Sequence, residues 1–450
     1  MIVNTPPSLQ QFSREFGTEL TKKQRGLFPM LLTGLLLLRG KRTQAALGRM
    51  VKKEKRHRSS ISRLLRRARF RTRDLHKAIC RKLIDLMDPI DEKIKRTWVL
   101  LIDGTCTKRG GFTKIANARQ YVRKGKKNRG KSTKAHSFVM GLLITGTGVR
   151  IPVPRKSYYT RAYCRKHRKK YKSQQALAAL MIQELHVPED VELIVIADEY
   201  FEGTLLWNVC GELGHTWIVP VDSRRCFANE RGRCVKKTLH ARGKALPRTA
   251  YRETALVRGK EDTASYRRYW ARRTGSKEKR RFRVVHEVRE VASLGTALVV
   301  YSWKSPVYRP RRDERGETFK VLVTNALSMT AEEVVEWYDV RWQIELYFRE
   351  LKCYLGLCDY SGQDFQAFER HVDLVMLAFA SQEWRRMILL KQTSSPKFEG
   401  QLKAARIPFM QTLLEEEAER NDLEYFEKCL KTKEGRTELR YLFPALRSAS

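Results

Sequence analysis

The 450-residue chain carries 91 Lys and Arg against 49 Asp and Glu, a formal charge of +42 at pH 7, spread along the sequence and not gathered in a tail. Counterion release makes such a surface a binder of polyanions, so nucleic acid is the leading partner and an anionic membrane surface a distant second. With 42% apolar residues the chain can build real cores, which excludes a disordered polycation, and its length fits about three domains at roughly 150 residues each.

The opening MIVNTPPSLQQFSREFG is not a secretory signal, and FPMLLTGLLLL is too short to span a bilayer. Nine cysteines, an odd number without zinc-site spacing, read as reduced thiols. Residues 21–88 read as helices throughout. Within them, KRTQAALGRMVKKEKRHRSSISRLLRRARF has a helix-turn-helix pattern: a first helix over 43–51, a turn, and a second helix opening at Ser59 or Ser60. Ile61, Leu64 and Leu65 would face the core, leaving Ser60, Arg63, Arg66 and Arg67 for DNA. A basic bundle touching only phosphates fits the same residues equally well, because no turn glycine fixes the angle between the helices.

From Trp98 the pattern turns to strands. WVLLIDG is an apolar run ending at Asp103, HSFVMGLLITGTGVRIPVP makes two strands about a Gly-Thr-Gly turn, and SQQALAALMIQEL is a helix. VELIVIAD is a second buried strand, ending at Asp198, followed by a helix in EGTLLWNVCGELG and a strand in TWIVPV. This is an α/β order whose continuous apolar runs suit a central sheet covered on both faces. Residues 222–316, with RFRVVHEVREV and TALVVYSW, read as a β-rich module, and FKVLVTN adds one more strand. TAEE is a capping-box start for the helical stretch containing YDVRWQIELYFRELK, with Gly356 as its stop. A long helix (DFQAFERHVDLVMLAFASQEWRRMILL), a polar linker (KQTSSPKFEG) and a short helical tail complete the chain.

At about 100° per residue, Tyr338, Arg341, Glu345 and Lys352 fall within an arc of roughly 60° beside the apolar face of Val340, Ile344, Phe348, Leu351 and Leu355. Glu345 then lies at the edge of the buried stripe, whereas Glu336 and Glu350 point well away and are expected to matter far less. Val334 and Val335 are out of phase, which predicts a kink near 337–341.

Singly, each acid has an ordinary explanation: Asp103-Gly104 as a hairpin signal, Asp198 as a helix cap, Glu345 paired with Arg341 one turn away. Together they converge, since Asp103 and Asp198 end neighbouring apolar strands and Glu345 lies on a helix able to pack beside them. Three uncancelled carboxylates cost electrostatic energy unless divalent cations neutralise them, and oxygen-only donors suit Mg²⁺ or Mn²⁺. Two such ions, roughly 3.5–4 Å apart, are what in-line phosphodiester displacement uses.

Tyr, two residues, Arg, three residues, Glu, six residues, Lys is the signature of IS4-type DDE transposases, and Tyr338, Arg341, Glu345 and Lys352 match each spacing. IDGT and VTNALSMTAEEVVEWYDVRWQIELYFRELK also resemble the family, so the likeness covers most of residues 95–390. The resemblance implies an α/β fold: an RNase H-like catalytic core in two parts (96–221 and 317–392), an inserted β-rich module (222–316), a helical DNA-binding domain before it (1–95) and a helical tail (393–450). It implies cut-and-paste transposition at terminal inverted repeats by strand cleavage, hairpin formation and strand transfer to target DNA. Asp103, Asp198 and Glu345 would be the catalytic residues and hold two Mg²⁺ or Mn²⁺ ions, and Tyr338, Arg341 and Lys352 would bind DNA phosphates. An aromatic from the module would receive an unstacked base, with Trp303 best placed and Trp270 next, against the ordinary reading of a Trp in a β-rich module as core. The expected assembly is a homodimer in a synaptic complex, cytoplasmic in a prokaryote and nucleoid-associated on DNA. The basic, aromatic-laced stretches RQYVRKGKKNRGKSTK and RKSYYTRAYCRKHRKKYK would track the backbone. One departure stands out: EYFEG follows Asp198 where many relatives have a basic residue and glycine. The alternatives are a non-catalytic DNA-binding protein derived from a transposase, or an RNase H-like nuclease or resolvase.

Overall fold

The computed structural model describes residues 2–53, 56–67, 71–91, 96–108, 119–122, 132–229, 233–257, 279–304, 318–360, 362, 364–403 and 405–443. Helices α1 (Pro7–Phe16), α2 (Lys22–Leu37), α3 (Gln44–Leu47), α4 (Arg58–Arg66) and α5 (Thr72–Asp91) come first. Thr21 starts α2 with a capping box, its hydroxyl accepting from the Gln24 amide while the Gln24 side chain accepts from the Thr21 amide. The helix expected over 43–51 is only the four residues of α3. It stops at Gly48, where a Cβ would collide with the carbonyl oxygen of Arg56, so a close-approach glycine does set this corner. The second helix opens at Arg58, ahead of Ser59 and Ser60, because the His57 ring accepts from the Ser59 amide at 3.4 Å and caps it there. Ile61, Leu64 and Leu65 are buried.

Next come β1 (Thr97–Lys108), β2 (Arg119–Val122), β3 (Ser132–Ile144), β4 (Arg150–Tyr158), α6 (Arg161–Lys166), α7 (Gln174–Glu184), β5 (Glu192–Ala197), α8 (Thr204–Glu212) and β6 (Thr216–Pro220). They are followed by β7 (Cys226–Ala228), β8 (Cys234–Thr238), α9 (Leu239–Ala245), β9 (Arg252–Val257), β10 (Lys279–Val291), β11 (Gly295–Lys304) and β12 (Thr318–Thr324). Among the described residues these strands form one mixed sheet in the order β2-β3-β1-β5-β6-β12-β11-β10-β7-β8, with β4 on β3 and β9 on β10. β1, β5 and β6 are parallel neighbours, buried on both faces as their apolar runs require. The long strands of 222–316 continue this sheet, because β11 pairs with β12 and β12 with β6. Cys226 and Cys234, expected as free thiols, are joined across the β7–β8 hairpin. Strand pairing brings their Cα atoms to 5.5 Å, a proximity that spacing along the chain does not reveal.

The C-terminal part holds α10 (Ala331–Asp339), α11 (Trp342–Arg349), a π-helical turn (Glu350–Tyr354), α12 (Phe365–Gln392), α13 (Pro396–Lys403), α14 (Ile407–Leu430) and α15 (Lys433–Leu442). The KQTSSPKFEG segment is therefore not all linker, and the tail is not short: α14 alone spans 24 residues. α12 is buried along most of its length, with α1, α2, α4, α5, α13, α14 and β4 packed around it, so the N-terminal helices share one apolar core with the sheet. α14 closes over the N-terminus: Asp422 accepts from the amides of Val3 and Asn4, and Glu417 from the amide and hydroxyl of Ser8. Among the described residues no helix is long and apolar enough to cross a membrane. Trp270 and residues 123–131 of the first basic stretch lie outside the described residues.

Candidate active site

Sheet register brings the first two carboxylates together. β1 and β5 run parallel with Ile102 beside Ala197 as their last pair, so Asp103 and Asp198 are the next residues on two strands about 4.8 Å apart. β5 finishes at Ala197, whereas β1, expected to end at Asp103, runs on to Lys108 because β3 continues to pair with it beyond the end of β5.

The third carboxylate comes from the helical stretch, which breaks where the phase change predicts. α10 ends at Asp339, Val340 and Arg341 make a tight turn, and α11 restarts with the Ile344 amide donating to the Arg341 carbonyl at 3.1 Å. α11 packs on β1 and β3 and buries Ile344, Leu346, Tyr347 and Phe348, with Tyr347 against Phe379 of α12. This leaves Glu345 at the margin, its side chain 39% exposed against 15% for Asp103. The Arg341 guanidinium stands between them, donating to Asp103 Oδ2 at 3.1 Å and lying 3.5 Å from Glu345 Oε1.

These groups feel one another. Burial raises the Asp103 pKa to about 6; Arg341 and the Gly104 amide oppose the rise, while Asp198 and Glu345 add to it. Burial works against the Arg341 charge, yet Tyr338 and all three carboxylates hold its pKa above the ordinary value. The three acids offer oxygen donors only, a set suited to a hard divalent cation. With Arg341 among them, no cluster of three His, Cys, Asp or Glu side chains in the described residues is tight enough to share an ion.

Tyr338 sits at the same place. Burial raises its pKa, with Arg341 opposing and Asp198 and Asp103 contributing. Lys320 of β12, which the motif reading did not single out, donates to Tyr338 Oη at 3.4 Å and lies 5.1 Å above the ring. Its only signal in the sequence was a lone cation opening an otherwise apolar strand. Lys352 is set apart from the carboxylates on the π-helical turn, where it lines a cleft with Arg39, Lys41, Tyr354 and Gln411. Glu350 does lie away from Glu345, but it does not face solvent: it is buried, accepting from Arg150 Nη1 at 2.8 Å and from the Ile407 amide at 3.2 Å. Glu350 therefore has a structural role away from the three carboxylates, because α11 and the turn after it are enclosed on both sides.

Trp303 is not brought to the carboxylates. It pairs with Phe319 across β11 and β12, with ring centroids 4.7 Å apart, whereas its neighbour Ser302 pairs with Lys320. Alternation therefore puts Trp303 on the opposite face of the sheet from Lys320. On α4, Arg63, Arg66 and Arg67 are exposed and Ser60 is half-buried. Arg66 reaches Asp364 at 3.7 Å, and with Arg58, Ser59 and Ser62 it lines a cleft against Tyr360.

The family model of the transposase DDE domain matches residues 94–380, more than half of the chain and the whole span from Asp103 to Lys352. The chain belongs to that family. It is a transposase, a DNA-recombination enzyme, and transposases of this family generally use divalent metal ions. No curated protein matches the sequence. Family membership agrees with the central mixed sheet and with the positive charge that pointed to nucleic acid.

Proposed function

We propose that this transposase performs cut-and-paste transposition of an IS4-type element, cleaving and joining DNA at terminal inverted repeats with Asp103, Asp198 and Glu345 as its catalytic carboxylates. The observation that carries the reading is their convergence: Asp103 and Asp198 directly follow the last residue pair of two adjacent parallel strands, and Arg341 ties Asp103 to Glu345. The order β4-β3-β1-β5-β6, with β1, β5 and β6 parallel and β3 antiparallel to β1, supports an RNase H-like core. In this reading 1–95 is the helical DNA-binding part, 222–316 the inserted module and 393–450 the tail.

Two Mg²⁺ or Mn²⁺ ions held by Asp103, Asp198 and Glu345 would supply Lewis acidity and an activated oxygen nucleophile for phosphodiester displacement. The protein's own residues set the geometry. Asp103 and Asp198 are carried by neighbouring strands and Glu345 by α11, so holding the ions would require Arg341 to leave the carboxylates and their side chains to close in. Arg341 balances the acids in the free protein and, with Tyr338, is placed to turn toward a phosphate, while Lys352 binds the strand further along. Around them, α4 presents Ser60, Arg63, Arg66 and Arg67 to the duplex. Tyr159, Tyr163 and His167 stack in series, with centroids 5.1 and 4.2 Å apart and Lys169 over Tyr159 at 4.6 Å, which supports backbone tracking by the second basic stretch. Base reception during hairpin formation is not given to Trp303, whose ring serves Phe319 on the far face. Two copies would act together in a synaptic homodimer.

The test is to incubate the protein with duplexes carrying the DNA ends that flank its own gene, in Mg²⁺ or Mn²⁺, and to resolve nicked and hairpin products on denaturing gels. Asp103→Ala, Asp198→Ala and Glu345→Ala are each expected to abolish nicking and retain end binding. Substantial cleavage by any one of them would remove that residue from the catalytic set.

A further inference from the structure

We infer that Lys320 is a further positioning residue of this active site, seating a DNA phosphate beside Asp198 in concert with Tyr338. The inference rests on the reading of Asp103, Asp198 and Glu345 as the cutting site.

Register places Lys320 there without reference to any motif. β5 and β6 pair Ile196 with Ile218, so Asp198 falls beside Pro220 two residues on. Pro220 in turn pairs with Leu322 of β12. Paired residues share a face, as do residues two apart, so Lys320 projects from the same face as Asp198. Because β12 runs antiparallel to β6, its first residues lie at the end of the sheet where β5 and β6 finish. Lys320 is therefore on the catalytic face, at the catalytic end, on the side opposite Glu345.

Its contacts leave it available for a ligand. The side chain is exposed and among the described residues makes one long bond, 3.4 Å to Tyr338 Oη, so an ammonium with three donors has two to spare there. An exposed cation–π contact contributes about 0.5–1 kcal/mol, too little to explain holding a flexible lysine in place. The two cations of the motif are engaged elsewhere: Arg341 bridges Asp103 and Glu345, and Lys352 lines a separate cleft. The Asp198 side is also rich in negative charge. Glu199 follows directly, and Glu202 accepts from the Asp222 amide at 2.7 Å with Arg225 on its other oxygen. A polyanionic strand entering there needs a cation, and Lys320 stands on that face. It would supply charge and N–H donors, with no proton transfer.

The test uses the full chain, fluorescently labelled duplex ends and three variants, Lys320→Ala, Lys320→Gln and Lys320→Arg. The neutral variants are expected to melt like wild type. They should lower single-turnover nicking at saturating DNA at least tenfold and reduce the slope of log affinity against log salt by about one phosphate contact. Lys320→Arg is expected to restore most of both. Wild-type nicking rates in Lys320→Ala and Lys320→Gln would overturn the inference, as would an unchanged salt slope. If wild type fails to cut, or Asp103→Ala cuts, the reading of the carboxylates fails instead, and the salt slope still decides whether Lys320 holds a phosphate.

Discussion

Neutralising Asp103 is expected to stabilise the metal-free protein even as it destroys activity. The side chain is 15% exposed, and burial, with Asp198 and Glu345 adding to it, lifts its pKa from 3.8 to about 6 against the pull of Arg341 and the Gly104 amide. At 1.36 kcal/mol per tenfold change in proton affinity, that gap amounts to about 3 kcal/mol by which the fold disfavours the ionised form. The folded state holds this proton more tightly than the unfolded chain, so the contribution to stability is complete below pH 3.8, shrinks as pH rises and is lost above about 6. Asparagine cannot ionise and escapes the loss. Asp103→Asn is therefore expected to exceed wild type by about 3 kcal/mol at pH 7.5 and to match it near pH 4, in urea unfolding with EDTA followed by tryptophan fluorescence. Adding Mg²⁺ or Mn²⁺ at pH 7.5 should stabilise wild type and not the variant, because the cation binds the ionised carboxylate. A variant less stable than wild type at pH 7.5, or a difference that does not change with pH, would refute the reasoning.

Two further outcomes concern other parts of the molecule. Glu350→Ala leaves Arg150 and Arg386 sharing Glu383 alone, where Arg150 lies at 2.6 Å in a site whose side chains are at most 5% exposed; the expected loss is about 3–5 kcal/mol, read as a lowered Tm. Glu336→Ala, on an exposed position, should stay within about 0.5 kcal/mol, and equal Tm values for the two would remove the buried pair from the account. For recognition, Arg63→Ala is expected to reduce the preference for the element's own ends over random duplex, whereas Lys428→Ala on the exposed side of α14 should leave it intact. A uniform loss on all duplexes would instead mark Arg63 as a phosphate contact. Single substitutions suit this question better than deleting 1–90, because α1, α2, α4 and α5 pack on α12. Lys52 is a poor control, since it lies 3.6 Å over the Phe443 ring.

What was legible in the sequence was what a short window of chain determines. Asp103 and Asp198 could be found because each ends a run of apolar residues long enough to be a doubly covered strand, and Tyr338, Arg341 and Glu345 because their spacing lies within two turns. The kink at 337–341 showed as a phase change between Val335 and Ile344, and the break falls at Val340 and Arg341. What escaped depends on partners remote in sequence. The bridge between Cys226 and Cys234 exists because β7 and β8 pair. The opposite facing of Lys320 and Trp303 follows from the register of β11 on β12 and of β12 on β6.

Glu350 shows the limit most sharply. Helical phase correctly turned it away from Glu345, but phase says only where a side chain points along one helix, not what waits there. For a helix lying on a surface, the face away from the core is water. α11 and its π-helical turn instead have the sheet on one side and α12 and α14 on the other, so the second face is interior as well. A carboxylate there must find a cation, and it does so in Arg150, 200 residues away. The helix that presents Glu345 is thus gripped from both sides: apolar packing holds the face next to the carboxylates, and a buried charge pair holds the face behind it. On the proposed reading, in which strand-borne and helix-borne acids meet one phosphate, that arrangement matters because an unanchored helix would let Glu345 drift from Asp103 by the ångström that positioning cannot spare.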